Sequence, residues 1–251
     1  MLKKLTIVLE KKNDITYLKG SVFQGILMEQ IDPLYGEILH LDGLKPYSQN
    51  IHYEGDELIW EINTLDEQAS IEIIEPLKAD SLQKVEIKHD NTELVIKEKR
   101  EISDTYQDFV GRYYFKDGNR RVRIQFLSPT SFKQNGRYLF YPDIRLIFQS
   151  LMMKFDSFAD NISVCSEEVL EQLADNTHVT GYNLKSVRYH LEGTSIPAFI
   201  GNIEVYINGP QPLVNLVQLL LRYGEYSGIG IKTAMGMGAM KVIDKMKGEK
   251  K

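Results

Sequence analysis

The sequence is poor in several features that define whole classes of protein. It contains a single cysteine, Cys165, so an internal disulfide and a thiolate-rich zinc site are both excluded. This scarcity fits a reducing compartment, and we expect a cytoplasmic protein. No segment approaches the roughly 20 apolar residues of a membrane-spanning helix, so we expect no membrane partner.

A secretory signal and a metal-binding pattern are also missing. The first residues, MLKKLTIVLEKKND, contain an apolar run of only LTIVL before charged residues resume. The five histidines show no pairing at the spacing of metal ligands. We therefore expect neither a metal site nor any other cofactor.

Charge is unevenly distributed along the chain, although the net charge is only −5. Residues 111–154 contain nine Lys or Arg and two Asp, which gives +7, and residues 219–251 carry +4. The rest of the chain is therefore strongly acidic. Because the local field attracts a charged ligand, the negative total does not exclude a polyanionic partner.

The first hundred residues alternate strand and helix patterns. LKKLTIVLE predicts a strand, and YLKGSVFQGILMEQI predicts a helix. Asp32 and Pro33 are a typical N-cap and first-turn pair, so a short helix begins there, and Gly43 can end it. Two hairpins follow, turning at EGD and at HDN, with the helical stretch DEQASIEIIEPL between them.

The second half repeats this order. RRVRIQFLS predicts a strand, YPDIRLIFQSLMMKF a helix, and residues 178–207 two or three strands. PQPLVNLVQLLLRYG predicts a helix that Gly224 stops, and GAMKVID predicts the closing strand. We therefore predict an α+β protein with two tandem ferredoxin-like (βαββαβ) domains, covering residues 1–105 and 106–251.

Residues 228–238, GIGIKTAMGMG, form what we call the glycine-rich segment. It matches neither the P-loop nor the dinucleotide fingerprint, because it follows a helix and precedes a strand. Its backbone N–H groups and Lys232 could approach a phosphodiester closely. Alternatively, the segment is a flexible connector, or its glycines permit close packing between domains. The glycines are Gly228, Gly230, Gly236 and Gly238.

This segment resembles the signature of a known family. Two G-h-G triplets, five residues apart and near the C-terminus, with a basic residue among the five, are similar to the motif of CRISPR-associated repeat-RNA endoribonucleases, the Cas-six family. The tandem ferredoxin-like layout extends the resemblance over nearly the whole chain. The likeness implies metal-independent cleavage within the repeats of CRISPR precursor transcripts, by 2′-OH attack that leaves a 2′,3′-cyclic phosphate. It implies CRISPR repeat RNA as partner, with or without a multi-subunit effector complex.

His40 is the candidate catalytic residue. It lies in the last turn of the predicted short helix, well off the apolar stripe formed by Leu34, Ile38 and Leu41. From the residues alone, His40 could simply complement the helix dipole. The resemblance makes His40 a general acid or base, and Lys45 the cation that stabilises the phosphorane.

A tyrosine is a further candidate. Some relatives contribute one from the first helix, but SVFQGILMEQI contains none. Tyr35 or Tyr47 could take its place in catalysis, and either could equally be a packing residue.

Basic and aromatic residues interleave between residues 111 and 145. The arginines can neutralise phosphates, while Tyr138 or Tyr141 could stack on a base. The three arginines of RRVR alternate along a strand and cannot all face one groove. The candidate RNA-binding arginines are Arg120, Arg121, Arg123, Arg137 and Arg145.

Two alternatives to an enzyme remain. One is a non-catalytic RNA-binding subunit of a CRISPR effector complex, which would bind repeat RNA and release no product. The other is a structural ferredoxin-like protein without RNA affinity, which a salt-dependent binding titration would identify.

Overall fold

Each half of the chain folds around one antiparallel sheet in the computed structural model, which describes residues 1–12, 14–41, 43–159, 162–191 and 193–244. The predicted second domain extends to residue 251, and its last seven residues lie outside the described residues.

The amino-terminal half contains a five-stranded sheet in the order β2-β3-β1-β5-β4. Without the additional edge strand β4, this order is that of a βαββαβ unit, in which the first and third strands are central. Its elements are β1 (Leu2–Leu9), α1 (Gly20–Gln30), α2 (Pro33–His40), β2 (Tyr47–Glu54), β3 (Glu57–Thr64), α3 (Glu67–Ala69), a π-helical stretch (Ser70–Ile74), α4 (Glu75–Lys78), β4 (Lys84–Ile87) and β5 (Thr92–Asp104).

The carboxy-terminal half has a four-stranded sheet in the order β11-β6-β10-β9, again that of a βαββαβ unit. The predicted fold of two tandem ferredoxin-like domains is therefore confirmed. Two helices, α5 and α7, and the hairpin β7–β8 were not predicted. The elements are α5 (Tyr106–Tyr113), β6 (Arg121–Thr130), β7 (Phe132–Gln134), β8 (Arg137–Leu139), α6 (Ile144–Phe158), α7 (Glu167–Asn176), β9 (Thr177–Leu191), β10 (Thr194–Ile207), α8 (Gln211–Ser227) and β11 (Met240–Asp244).

Each half has its own hydrophobic core, as the strand and helix periodicities require. In the amino-terminal core, the rings of Phe23 from α1 and Trp60 from β3 meet edge to face with centroids 5.1 Å apart. In the carboxy-terminal core, Phe155 from α6 packs on Tyr223 from α8 at 5.1 Å. Of the helices in the described ranges, none combines the length and apolar character needed to cross a membrane.

Helix α2 begins as predicted and ends earlier. Asp32 Oδ1 accepts hydrogen bonds from the N–H groups of Leu34 and Tyr35, at 2.8 and 3.3 Å, which is the expected N-cap. The helix stops at His40, where Leu41 turns to an extended conformation, so Gly43 does not terminate it. His40 thus becomes the last helical residue, adjacent to the chain that leads into β2.

The apolar stripe of α2 faces outward. Leu34, Ile38 and Leu41 are 70%, 54% and 65% exposed, whereas Tyr35 and Leu39 are each 6% exposed. With only eight residues, the helix is anchored through the second pair, which packs in the amino-terminal core. His40 is exposed and lies off the apolar stripe, as predicted. The stripe itself, which was expected to be buried, is exposed too.

Helix α8 continues past Gly224 to Ser227, contrary to the predicted stop. A Cβ on Gly224 would lie 2.7 Å from Met240 Sδ and 3.0 Å from Leu151 Cδ2, so this glycine permits close packing. Gly228, with φ of +60°, ends the helix and starts the glycine-rich segment.

Buried polar side chains of β2 join the two halves. Gln49, 1% exposed, donates from Nε2 to the carbonyl oxygen of Gly20 at 2.8 Å and to that of Ala234 at 3.2 Å. Its Oε1 accepts from Trp60 Nε1 at 3.1 Å. Ser48 Oγ donates to the carbonyl oxygen of Tyr226 at 2.6 Å. These bonds fix the start of α1 and the glycine-rich segment against the same strand.

Candidate RNA-cleavage site

The main chain of the glycine-rich segment is largely satisfied by the protein itself. The N–H of Ile231 donates to the carbonyl oxygen of Ser131 at 3.0 Å, and that of Gly238 donates to Pro129 at 3.0 Å. The N–H of Gly230 donates to Ser150 Oγ at 2.9 Å. These N–H groups are therefore not available to a phosphate, which corrects the view that the segment's backbone as a whole receives RNA.

The glycines serve this packing. A Cβ on Gly230 would lie 2.2 Å from Ser131 O, and one on Gly238 would lie 2.0 Å from Ile229 O. A Cβ on Gly236 would lie 2.7 Å from the Cα of Gly20, at the start of α1. All four glycines of the segment have positive φ. They therefore shape the segment and press it against both domains, and their predicted role in RNA binding becomes an indirect one.

Lys232 is the residue that the segment presents. It has φ of +58°, a left-handed conformation that non-glycine residues adopt rarely, and its side chain is exposed. Its carbonyl oxygen accepts hydrogen bonds from the N–H groups of Met235 at 2.9 Å and Met237 at 3.2 Å, which holds this backbone in place. Backbone strain of this kind concentrates at functional sites.

A pocket of about 470 Å³ brings His40 and Lys45 of the amino-terminal domain together with Lys232 of the carboxy-terminal domain. We call it the cleavage pocket. Gln24, Tyr47 and the residues around Lys232 also line it. Groups that can carry positive charge thus come from both domains to one cavity.

The contacts of His40 define its tautomer. Its Nδ1 lies 2.7 Å from the carbonyl oxygen of Gly36, one turn earlier in α2. Because a carbonyl oxygen can only accept, Nδ1 carries the hydrogen, and Nε2 is the nitrogen left to exchange a proton. Lys45 Nζ donates to the carbonyl oxygen of Leu41 just past the helix end, so the ammonium group is held close to the end of α2.

The structure separates the two candidate tyrosines. Tyr35 is 6% exposed, packs in the amino-terminal core and is not among the residues that line the cleavage pocket. The structure gives no support to a catalytic Tyr35, because α2 turns that side chain inward, and the assignment stays a prediction. Tyr47 lines the pocket, and burial raises the pKa of its hydroxyl to about 12, so it remains protonated at neutral pH.

A second cavity of about 610 Å³ shares Gln24, Lys232 and Met235 with the cleavage pocket. It is lined by the start of α1, by the hairpin β7–β8 and by the ends of β9 and β10. Lys133 Nζ lies 5.8 Å from the centre of the Tyr138 ring, and both residues line the cavity. We call the two cavities together the basic groove.

Three of the predicted RNA-binding arginines lie elsewhere, at the other end of β6. Ser131, next to the glycine-rich segment, is eight residues beyond Arg123, or on the order of 25 Å along an extended chain. Arg120 donates to the carbonyl oxygens of Ile207 and Gly209, and Arg123 pairs with Glu204 at 2.8 Å. Arg121 lies over the Tyr206 ring at 5.0 Å. All three are engaged by the protein and far from the groove, so their predicted role in RNA binding stays a prediction that this placement does not favour.

The other two arginines differ from each other. Arg145 forms an ion pair with Glu167 of α7, so its guanidinium group is also engaged within the protein. Arg137 is exposed on β8, directly before Tyr138 of the basic groove. Tyr141 is 55% exposed beyond the hairpin. Arg137 is thus the predicted arginine that stays compatible with an RNA path through the groove.

Lys154 also lines the cleavage pocket, and its role was not predicted. It is 5% exposed on α6, a helix whose other buried residues are apolar. A lysine on the buried face of an amphipathic helix is the sequence signal that could have identified it. Within the described ranges, no group of three or more His, Cys, Asp or Glu side chains is arranged to hold a metal ion.

Comparisons with known proteins agree along the whole chain. Residues 124–240 match the family model described as CRISPR-associated endoribonuclease Cas6. A CRISPR-associated endoribonuclease Cas6 of Streptococcus thermophilus is 30% identical over 97% of this chain and 99% of its own length. One of Mycobacterium tuberculosis is 28% identical over 96% of this chain and 78% of its own length.

Solved structures show the same fold. A Cas6 product complex superimposes with a TM-score of 0.78 at 21% identity, covering 97% of this chain and 99% of the other. Thermus thermophilus Cas6 gives a TM-score of 0.72 at 19% identity, covering 97% and 98% of the two chains.

Proposed function

Because the chain belongs to the Cas6 family of CRISPR-associated endoribonucleases and so acts in the processing of CRISPR repeat RNA, we propose that it cleaves the repeat without a metal ion, in the cleavage pocket. His40 is the proton-transfer residue, and Lys45 and Lys232 hold the scissile phosphate. The observation that carries this proposal is the convergence of these three residues, from two domains, on one pocket.

The chemistry is an internal transfer of the phosphate. The ribose 2′-oxygen attacks the adjacent phosphorus and loses its proton, while the bond from phosphorus to the 5′-oxygen breaks and that oxygen gains a proton. The products are a 2′,3′-cyclic phosphate and a 5′-hydroxyl. Nε2 of His40 supplies one of the two proton transfers. The ammonium groups stabilise the additional negative charge of the phosphorane.

The RNA strand follows the basic groove to this pocket. Lys232 lines both cavities of the groove, so it can contact the scissile phosphate at the point where the strand passes from one cavity to the other. Lys133 can neutralise a further phosphate, and the Tyr138 ring offers a face on which a base can stack. Arg137 directly precedes Tyr138 on β8 and can neutralise a phosphate beyond the groove.

The direct test is cleavage of repeat RNA transcribed from the CRISPR array of the same genome, in buffer containing EDTA. We expect cleavage at one position, with product ends that carry a cyclic phosphate and a hydroxyl. A substrate with 2′-deoxyribose at the scissile nucleotide should remain intact, since it lacks the nucleophile. Unchanged cleavage of that deoxy substrate, or complete dependence on added metal, would contradict the mechanism.

His40→Ala separates the enzyme from the alternative of a non-catalytic subunit. We expect this variant to bind the repeat RNA normally and to cleave it slowly. If the wild-type protein binds the RNA tightly, forms no product and is unaffected by the substitution, the chain is an RNA-binding subunit instead.

A sulfur substitution decides whether His40 acts as acid or base. A substrate with sulfur in place of the 5′-bridging oxygen has a leaving group that needs no protonation. Restored cleavage of this substrate by His40→Ala identifies His40 as the general acid. A rate that stays low identifies it as the base that removes the 2′-OH proton.

A further inference from the structure

Lys154 is a buried lysine that lines the cleavage pocket. The buried face of α6 that carries it also includes Leu151, Met152 and Phe155, and its Nζ contacts the glycine-rich segment. Burying an ammonium group costs free energy, so its presence in an otherwise apolar helix face needs a compensating role.

Three acceptors of the glycine-rich segment and the preceding helix end surround the ammonium group. Nζ lies 3.1 Å from the carbonyl oxygen of Ser227, 3.0 Å from that of Gly228 and 3.4 Å from Thr233 Oγ1. Ser227 ends α8, and Thr233 directly follows Lys232. One side chain therefore ties the beginning of the segment to the residue beside its exposed lysine.

Within the described part of the chain, no carboxylate pairs with the ammonium group of Lys154. Burial alone lowers the pKa of its ammonium group from the ordinary 10.5 to about 7. The titratable groups that face it are His40 from α2, Lys45 and Tyr47 before and in β2, Lys232 from the segment, and Tyr223 from α8, whose hydroxyl donates to the Lys154 carbonyl oxygen at 3.1 Å. None of these is an anion at neutral pH, because burial raises the pKa of both tyrosine hydroxyls.

We propose that Lys154 is a positioning residue for RNA cleavage, whose protonated form holds the glycine-rich segment in place beneath the bound phosphate and which takes up a proton when RNA binds. This inference rests on the proposed function, because it requires an RNA phosphate in the cleavage pocket. That phosphate supplies the negative charge that the free protein lacks around Lys154.

The direction of the pH effect follows from this arrangement. A phosphate near the ammonium group favours the charged form, so the pKa of Lys154 rises on binding. At pH values between the pKa of Lys154 in the free protein and its pKa in the complex, the complex holds a proton that the free protein lacks. The affinity for RNA therefore falls as pH increases through this range. For a rise of one pKa unit, affinity should fall about fivefold between pH 6.5 and 8.5.

Titration calorimetry measures this proton directly. The wild-type protein is titrated with 2′-deoxy repeat RNA at pH 7.5 to 8, in two buffers of different ionisation enthalpy. We expect uptake of roughly half a proton or more per complex. In Lys154→Arg the charge is permanent, so the share of the uptake that belongs to Lys154 should be lost, while any share of His40 and binding itself are retained.

Two further variants separate proton linkage from folding. Lys154→Met removes the cation and should lower uptake as far as Lys154→Arg does and slow cleavage, with kcat affected more than KM. Lys4→Met is the matched control, because Lys4 is also partly buried and contacts Glu61 at 3.1 Å and the carbonyl oxygen of Glu225, away from the pocket. It should leave proton uptake as in the wild type, even where it lowers the melting temperature.

A measurement on the unaltered protein covers the case in which the variants fail to fold. The Lys154 side chain, labelled with ¹³C at Cε, should titrate near pH 7 in the free protein and at higher pH with RNA bound. An unchanged titration on RNA binding, or equal uptake by wild type and Lys154→Arg, overturns the inference while cleavage by His40 stands. If no RNA binds at all, the proposed function fails as well.

Discussion

Positively charged side chains near the two ends of β6 differ in whether the protein itself engages them. At its beginning, Arg120, Arg121 and Arg123 are held by carbonyl oxygens, a tyrosine ring and a glutamate. Beyond its end, the glycine-rich segment presents Lys232 to a pocket shared with His40. The first cluster has more charge in the sequence, but the second has charge that is free to meet a ligand.

The difference arises from packing. The beginning of β6 pairs with β10, which places Glu204 opposite Arg123 and Tyr206 opposite Arg121. Cross-strand partners of this kind neutralise charge within the sheet. At the other end, the N–H groups of the glycine-rich segment are hydrogen-bonded to neighbouring residues of the protein. The exposed side chain of Lys232 is what the segment contributes to the groove. Function at this end depends on shape as much as on charge.

The largest effect that sharpens this comparison is expected for His40→Ala. Loss of a proton-transfer group should lower the single-turnover cleavage rate by about 10²–10⁴-fold. Binding of the deoxy repeat RNA should change by less than about twofold, since the imidazole contributes little ground-state affinity. Rates should be measured by gel separation of end-labelled RNA. A rate within a few-fold of wild type would remove His40 from the mechanism.

The second effect concerns the shape of the segment. Gly230→Ala should lower the free energy of unfolding by about 1–3 kcal/mol, because Gly230 has φ of +72° and its Cβ would lie 2.2 Å from Ser131 O. Gly111→Ala is the matched control, since nothing lies within 4 Å of its Cβ in helix α5. This control should be neutral or stabilising. Equal denaturant midpoints for the two variants would show that the segment tolerates a side chain.

The third effect concerns charge at the groove. Lys232→Ala should weaken binding of the deoxy repeat RNA by about tenfold through loss of a charged hydrogen bond. It should also reduce the slope of log affinity against log salt by about one, because one fewer phosphate is neutralised. Fluorescence anisotropy over a range of salt concentrations measures both. An unchanged slope would mean that Lys232 does not contact phosphate.

The smallest effect is expected at the other end of β6. Arg121→Ala should change RNA affinity by less than about twofold, because its guanidinium stacks on Tyr206 and lies far from the groove. The same anisotropy titration compares it with Lys232→Ala. A loss as large as that of Lys232→Ala would show that the RNA path extends along β6.

The sequence was sufficient to predict the fold, because the signals of strands and helices lie within short segments and the same order of elements occurs twice. Alternating apolar residues and cap signals such as Asp32 with Pro33 identified most strands and helices, and two similar orders of elements indicated two similar domains. The boundaries that failed depended on tertiary contacts. Gly224 lies inside α8 because Met240 and Leu151 require a small residue there, which no helix-stop signal records.

The candidate site was only partly predictable for the same reason. The motif around Lys232 and the helix-end position of His40 both led to the pocket, although their sharing of one pocket comes from the packing of two domains. The structure places Tyr35 and the arginines of β6 away from the pocket, because burial and cross-strand partners decide which side chains are free. Lys154 was missed since its three acceptors are 73 to 79 residues away in the chain.

The position of the scissile phosphate tests the account most directly. A crystal structure of the protein bound to repeat RNA with 2′-deoxyribose at the cleavage site would locate it. We expect this phosphate in the cleavage pocket, with its 5′-oxygen or the position of the 2′-oxygen about 3 Å from His40 Nε2, and with Lys45 or Lys232 on its free oxygens. A scissile phosphate bound beside Arg121 and Arg123, with the pocket of His40 left empty, would contradict the account.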